Sequence, residues 1–311
     1  DGPKYPAGLE EKDLNKTVTR TITYVYEDGT PVLNEDGTPK TVTQEAKFTR
    51  EAKVNLVTGK VTYGDWTPAQ DLAEVKSPVV KGYLADKASV AVVKVTGDSE
   101  DIKEVVTYKP LGSWVPNIPG QPTDPIKYPN DPTDPTKPGQ PTEVVPYVPG
   151  YTPKDKDGNP LKPVDPNDPT KGYEVPNLPT DPSQDTPINY VKDTQKAKTT
   201  FVDEKGNPIP GVDAITEEGD SDTPLTKEAE VKAKIKELEN KGYELVSNTY
   251  PEGGKFDKDK DTDQEFKVTL KERVVPVTPD QPKTPGTPVD PNNPDGPKYP
   301  AGLEEKDLNK T

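Results

Sequence analysis

Outside its proline runs the chain alternates apolar and polar residues with a period of two, and that alternation predicts strands. In TVTRTITYVYE, residues 17–27, Val18, Ile22, Tyr24 and Tyr26 share one face, with Thr, Arg and Glu interleaved. Val42, Ala46 and Phe48 repeat the pattern. Val54 and Leu56 are expected to face Val61 and Tyr63 across a turn at Thr58-Gly59. Residues 89–95 and 102–108 supply the last strands of this stretch; no helix is expected in it, and Trp66 is assigned to its core. Farther on, alternation over 196–203 and near 211–216 gives way to a helical period in TKEAEVKAKIKELENKG, residues 226–242. There Val231, Ile235 and Leu238 form one stripe, Thr226 is the expected N-cap and Gly242 the stop. Glu228–Lys232 and Glu230–Lys234 are expected to pair one turn apart. Strands at 243–248 and 264–273, the latter carrying Phe266, Val268 and Leu270, complete the order ββαββ.

Proline punctuates these stretches. Of 40 Pro, 4 lie in 17–109, 21 in 110–190, 4 in 196–275 and 9 in 276–300. Each X-Pro step disfavours helix, so the dense runs are expected to be extended polyproline II or turns. At ~3.1 Å per residue, an unpaired 110–190 would reach on the order of 200 Å. A repeat frames the whole: DGPKYPAGLEEKDLNKT, Asp1–Thr17, recurs unchanged at Asp295–Thr311. One long unit and the start of the next are therefore present, and tandem reuse of the unit is expected. A shorter signal, Gly-Thr-Pro or Gly-Asn-Pro, recurs at 29–31, 37–39, 158–160 and 206–208. Gly supplies positive φ, Thr or Asn bonds back to the backbone, and Pro blocks further pairing, as in a hairpin turn.

The expected fold is β-rich α+β, with two small modules joined by extended proline-rich spacers. One module is mostly β; the other is a ββαββ β-grasp, ubiquitin-like, in which one helix covers one face of a four-stranded sheet. The expected organisation is 1–16, the end of a spacer, and 17–109, the mostly-β module. Then come 110–192, a spacer whose residues 144–190 could dock on a neighbour, 193–275, the β-grasp module, and 276–311, a spacer and the start of the next unit.

Composition narrows the chemistry. The chain has no His, Cys or Met, which removes disulfides, thiolate metal sites, the thiol nucleophile and the commonest general base. No Ser, Lys or carboxylate falls in a recognisable catalytic motif, and no enzyme is expected. A net charge of -15 repels phosphate and argues against nucleic acid; it suits a solvated, self-repelling monomer. No apolar run approaches the ~20 residues that span a bilayer, so no membrane insertion is expected in this fragment.

Two groups of side chains invite a ligand. Exposed aromatic rings stack on pyranose faces, and Trp114, Tyr128, Tyr147, Tyr151 and Tyr173 lie in the proline-rich part, where no large core is expected to hide them. Their alternative is packing on proline rings or module surfaces. Asp257, Asp259, Asp261 and Asp263 alternate in FDKDKDTDQE and suggest calcium, the one cofactor the chain brings to mind. An EF-hand loop needs Gly at its sixth position and Glu at its twelfth, where Thr262 and Val268 stand. Lys258 and Lys260 also interleave, so a solvated loop is the competing reading.

TVTRTITYVYEDGTPV with GKVTYGDWTP in 17–68, and AKTTFVDEKGNPIPG with the KGYELVSN return strand in 196–248, resemble the modules of mucus-binding (Mub, MucBP-type) repeats. Those repeats occur in surface adhesins of Gram-positive gut bacteria. The stretch GYTPKDKDGNPLKPVDPNDPTKGYEVPNLPTDPSQDTPINYV is similar to the spacers of such adhesins. The resemblance implies an extracellular place on the bacterial cell surface, host mucin glycoproteins as partners and, in some relatives, immunoglobulins. It also implies cell-wall anchoring by a region outside this fragment. Three functions compete: multivalent weak adhesion to mucin glycans, a structural stalk presenting another domain, and host-protein binding by strand addition at a β-grasp edge.

Overall fold

The longest alternating run becomes the longest strand in the computed structural model, which describes every residue from Asp1 to Thr311. After one helical turn, α1 (Glu11–Leu14), the chain enters β1 (Asn15–Tyr26). β1 pairs antiparallel with β2 (Thr41–Thr49), Val18 opposite Ala46 and Ile22 opposite Val42. A six-residue turn, Asn55–Lys60, then joins β3 (Ala52–Val54) to β4 (Val61–Tyr63). Leu56 does not face the partner strand as the alternation suggested. Asn55 Oδ1 accepts from the amides of Val57 and Thr58 and lifts Leu56 into the turn. Val57, at the tip, is 95% exposed.

Short strands follow: β5 (Gln70–Leu72), β6 (Val75–Lys76), β7 (Tyr83–Ala85), β8 (Ser89–Val90) and β9 (Val93–Val95). β10 (Ile102–Pro110) returns parallel to β1, Tyr24 beside Val106 and Tyr26 beside Tyr108. The principal sheet has the order β2-β1-β10-β7. Its face buries two apolar clusters, one around Ile22, Tyr24, Val106 and Tyr108, the other around Val18, Phe48, Leu72 and Val95. Trp66 packs against the second cluster, half-buried. Gly97 lies flat on its indole, where an added Cβ would sit 2.1 Å from Cγ.

Arg20 belongs to this buried face, 2% exposed, not to the polar one. Counting by twos from Val18 to Ile22 passes through it. Its guanidinium spends its donors on Gln44 Oε1 (2.8 Å), the Ala91 carbonyl (2.7 Å) and the Ala73 carbonyl (2.8 Å). The Ala91 carbonyl lies in the break between β8 and β9, where residues 89–95 leave the ladder. A buried cation is tolerable only with such partners.

The proline-rich stretch contributes β11 (Ser113–Asn117), β12 (Ile126–Lys127), β13 (Tyr151–Lys154) and β14 (Thr186–Lys192). β11 pairs antiparallel with β12 and parallel with β14, Trp114 beside Thr186 and Pro116 beside Ile188. An unpaired rod over 110–190 is therefore not what forms. Proline lacks a donor but keeps its carbonyl, and the Trp, Val and Ile between the prolines have apolar surface to bury.

The chain divides into two units. One comprises Asp1–Val145, Asp155–Val164 and Tyr173–Asn189; the other comprises Pro146–Lys154, Asp165–Gly172 and Tyr190–Thr311. In the second unit β15 (Thr194–Val202) pairs antiparallel with β16 (Ile215–Asp220) and parallel with β18 (Gln264–Glu272). The sheet order is β16-β15-β18-β17, with β17 (Tyr243–Asn248) at one edge. Between β16 and β17 runs α2 (Glu228–Asn240), whose Val231, Ile235 and Leu238 pack with Phe201, Val268 and Leu270 of the sheet.

The start of α2 departs from expectation. Thr226 does not cap it with its side chain; Lys227 is the N-cap residue and makes no side-chain cap bond. Glu217 of β16 reaches over instead, its Oε1 accepting from the Thr226 amide at 2.7 Å. Glu228 does pair with Lys232 (3.7 Å), but Glu230 turns to Lys227 (3.2 Å) and Lys234 to Glu237 (2.9 Å). The turn signals form hairpins held by Asx hydrogen bonds. Asp28 Oδ1 accepts from the Thr30 amide and hydroxyl, and Val25 bridges Pro31. The proline does not end the pairing as expected, because the Val32 amide beyond it donates to the Tyr24 carbonyl at 2.8 Å. A short terminal helix, α3 (Glu305–Leu308), repeats α1 in the second copy of the seventeen residues.

Candidate functional site

Of the five aromatic candidates, three are buried in the first unit. Trp114 and Tyr128 are each 1% exposed, their rings edge to face with centroids 4.7 Å apart. Trp114 Nε1 donates to the Pro176 carbonyl at 2.9 Å. The Tyr128 hydroxyl donates to the Gln184 carbonyl (2.8 Å) and lies 2.6 Å from the Thr186 hydroxyl. Burial raises the Tyr128 pKa. Tyr173 is also buried, its amide and carbonyl bonded to Val145. None of these three rings has a face open to a sugar. The reason is local: strands β11 and β14 bring enough apolar surface together to cover them. Tyr147 and Tyr151, in the second unit, stay half-buried.

Next to the buried rings lies a cleft of about 560 Å³, all of it within the first unit. Pro176 and Thr186, the partners of Trp114 and Tyr128, both line it. Around the rim stand four carboxylates, Asp155, Asp157, Glu174 and Asp185, against two ammonium groups, Lys156 and Lys162. The Asn177 carboxamide adds a donor and an acceptor, and Leu161, Leu178 and prolines supply apolar floor. Two rim groups are fixed by the backbone: Asp185 Oδ1 accepts from the Ser113 amide, and Asp155 Oδ1 from the amides of Asp157 and Asn159. Glu174 donates its amide to the Lys162 carbonyl, tying the two sides together. Such a rim can exchange hydrogen bonds with hydroxyl groups, while the net negative count disfavours an anion.

Neither Lys162, Asn177 nor Asp185 stands out in the sequence. The 155–160 turn was legible only as a turn; Lys162 follows it directly, while Glu174 and Asp185 come from farther along the chain. The four aspartates of the acidic run do not converge. Asp257 Oδ1 accepts from Gln195 Nε2 (2.8 Å) and the Asp259 amide (3.2 Å), and Asp259 Oδ1 from the Asp261 amide (3.1 Å). No group of three acidic side chains in the chain is placed to share a metal ion. No helix is long and apolar enough to cross a membrane.

Residues 9–112 match the family model of a Muc B2-like domain, and residues 195–272 that of a mucin binding domain. Solved structures similar to parts of the chain include the mucin-binding domain of Spr1345 from Streptococcus pneumoniae. It is 34% identical over 31% of this chain and 92% of that one, with a TM-score of 0.26. A MucBP domain of LBA1460 from Lactobacillus acidophilus is 31% identical over 31% and 92%, with a TM-score of 0.26. The type 2 repeat of the mucus binding protein MUB from Lactobacillus reuteri is 28% identical, with a TM-score of 0.26. The match covers 31% of this chain and spans half of that one. No curated protein matches the chain.

Proposed function

The chain belongs to the MucBP-type family of mucin-binding repeats, and we propose that it is a repeat unit of a cell-surface adhesin holding host mucin glycoproteins. The observation that carries this reading is a pair of family matches within one repeat, to a Muc B2-like domain at 9–112 and to a mucin binding domain at 195–272. The second matched family is by its description a mucin binding domain. The second module reads as a β-grasp, and the protein as an extracellular one anchored to the cell wall by a region outside this stretch. Each unit offers weak contacts, and tandem copies convert them into useful avidity.

Within the unit, the cleft at 155–187 is the candidate glycan contact, with Tyr147 and Tyr151 as candidate stacking rings elsewhere. Four carboxylates against two ammonium groups suit neutral, hydroxyl-rich sugars better than sialylated ends. Binding of the full chain to immobilised mucin, before and after enzymatic removal of sialic acid, tests this. Desialylated mucin is expected to bind at least as well as the native form. A Lys162→Ala/Asn177→Ala double variant is expected to lose most of the binding, since both side chains are exposed and neither supports the fold. Equal binding by the variant would discard the cleft and leave the adhesin reading; no binding by either protein would discard adhesion.

A second reading has one observation behind it. β17 is an edge strand carrying exposed Leu245 and Val246, open to strand addition by a host protein such as immunoglobulin. A bulge at Val246 interrupts the ladder there, and edge bulges commonly discourage such pairing. Titration of the full chain with immunoglobulin decides it.

A further inference from the structure

The two copies of the seventeen-residue segment have the same sequence and one of two surroundings. Their last residues fold alike. Glu10 donates its amide to Asp13 Oδ2 at 3.0 Å and Glu304 donates to Asp307 Oδ2 at 3.1 Å; Asn15 and Asn309 each return a side-chain bond to the carbonyl of Glu11 and Glu305. Their first nine residues differ. In the second copy the chain folds back on the proline-rich stretch before it. Lys283 donates its amide to the Leu303 carbonyl (2.7 Å), Gly286 to Tyr299 (2.8 Å) and Val289 to Pro297 (2.9 Å). Tyr299 donates in return to Thr287 (2.9 Å). The Lys283 ammonium sits 5.5 Å from the centre of the Tyr299 ring.

This clasp is fastened to the module before it. Arg273, one residue beyond β18, grips Asp290 through both nitrogens (2.9 and 3.3 Å). That pairing holds the Asp290 carboxyl below the usual range. Asn293 Nδ2 donates to Asn240 Oδ1 at the end of α2 (3.1 Å). In the first copy the equivalent groups, the Tyr5 amide and the carbonyls of Pro3, Tyr5 and Leu9, make no main-chain hydrogen bond. Tyr5 is 84% exposed, whereas Tyr299 is half-buried and Gly296 is buried where Gly2 is open.

We propose that Asp1–Leu9 is a docking strand for residues 283–289 of a preceding copy, so that consecutive units are joined by a folded clasp in place of a free tether. The sequence identity of the two segments makes the second copy a direct image of what the first becomes when a unit precedes it. Each clasp is half the end of one unit and half the beginning of the next. This inference does not depend on what the unit binds.

Hydrogen exchange on the full chain, and on a tandem protein in which residues 1–294 precede residues 1–311, tests it with an internal control. Tyr5 and Tyr299 have the same neighbours, so their intrinsic exchange rates are equal and any difference is structural. In the 311-residue chain the Tyr299 amide is expected to exchange at least about tenfold more slowly than the Tyr5 amide, as a bonded amide in a local unit does. In the tandem protein the internal copy of this tyrosine is expected to be protected, and the N-terminal one to stay fast. Equal rates at Tyr5 and Tyr299 would overturn the clasp itself. A protected Tyr299 with a fast internal copy would overturn its persistence once the next module follows.

Discussion

Arg20 shows how a single residue was misread from sequence, and Glu217 how one was passed over. Both stand at even spacing on otherwise apolar strand faces, next to Val18 and Ile22 or to Ile215, so parity alone places them inside. What parity cannot supply is their partners, which lie 24 to 71 residues away for Arg20 and 9 to 33 for Glu217. The positions of the turns were legible by contrast, but not their bonds: the expected partner of Thr or Asn was the backbone, and the observed one is an Asp carboxylate. Thr30 and Thr38, two residues on, donate to Asp28 and Asp36 and hold both carboxyls below their ordinary pKa. Around Glu217 a pH response follows. The Tyr250 hydroxyl donates to Glu217 Oε2 at 2.9 Å and accepts from the Lys227 amide at 3.1 Å. Burial first, and the hydrogen bond to Glu217 second, push Tyr250 from 10.0 up to about 12. A folded pKa above the unfolded one means that the neutral phenol stabilises the fold. Its contribution is complete below pH 10 and is lost as pH rises through about 12. The stability difference between the native chain and Tyr250→Phe, followed by thermal melting, is therefore expected to shrink across that window. A gap that does not change with pH would remove Tyr250 from the account.

Among the elements, α2 and β17 were the most transparent. The stripe Val231, Ile235, Leu238 is the buried one, and Tyr243–Asn248 is the strand expected at 243–248. A period of 3.6 or of 2 is a property of neighbours in the chain, so it survives without tertiary information. β11 and β14 were opaque for the opposite reason. They are short, contain Pro116 and Pro187, and pair in parallel across some seventy residues, which no local pattern announces. Their packing makes a firm prediction. Trp114→Ala removes a fully buried ring and its bond to Pro176, at a cost of about 3–5 kcal/mol. Calorimetry of the full chain should show the transition of the first unit shifted to lower temperature and that of the second unit in place. An unshifted first transition would mean that the proline-rich stretch adds no core to it.

At the scale of the molecule, tandem reuse gives adhesion its most direct test. If each unit carries a weak site, affinity for immobilised mucin should rise steeply from one to two to three units, because a linked site rebinds before the chain escapes. A flat response would favour a stalk that presents another domain.

The residue order alone determined that this is a β-rich chain that repeats its first seventeen residues, carries one long helix in its second module, is acidic, and has no His or Cys. Those conclusions rest on composition, on identity between Asp1–Thr17 and Asp295–Thr311, and on periodicity, all of which are read along the chain. Only the tertiary structure decided what becomes of the proline-rich stretches. It buried Trp114, Tyr128 and Tyr173, formed a polar cleft lined by residues 155–187, and folded residues 283–303 back on themselves. Proline restricts its own backbone and removes a donor, but it leaves the carbonyl and the neighbouring side chains free to pair. Whether they do depends on surface brought from far along the chain, and a distance in space is not written in the order of residues.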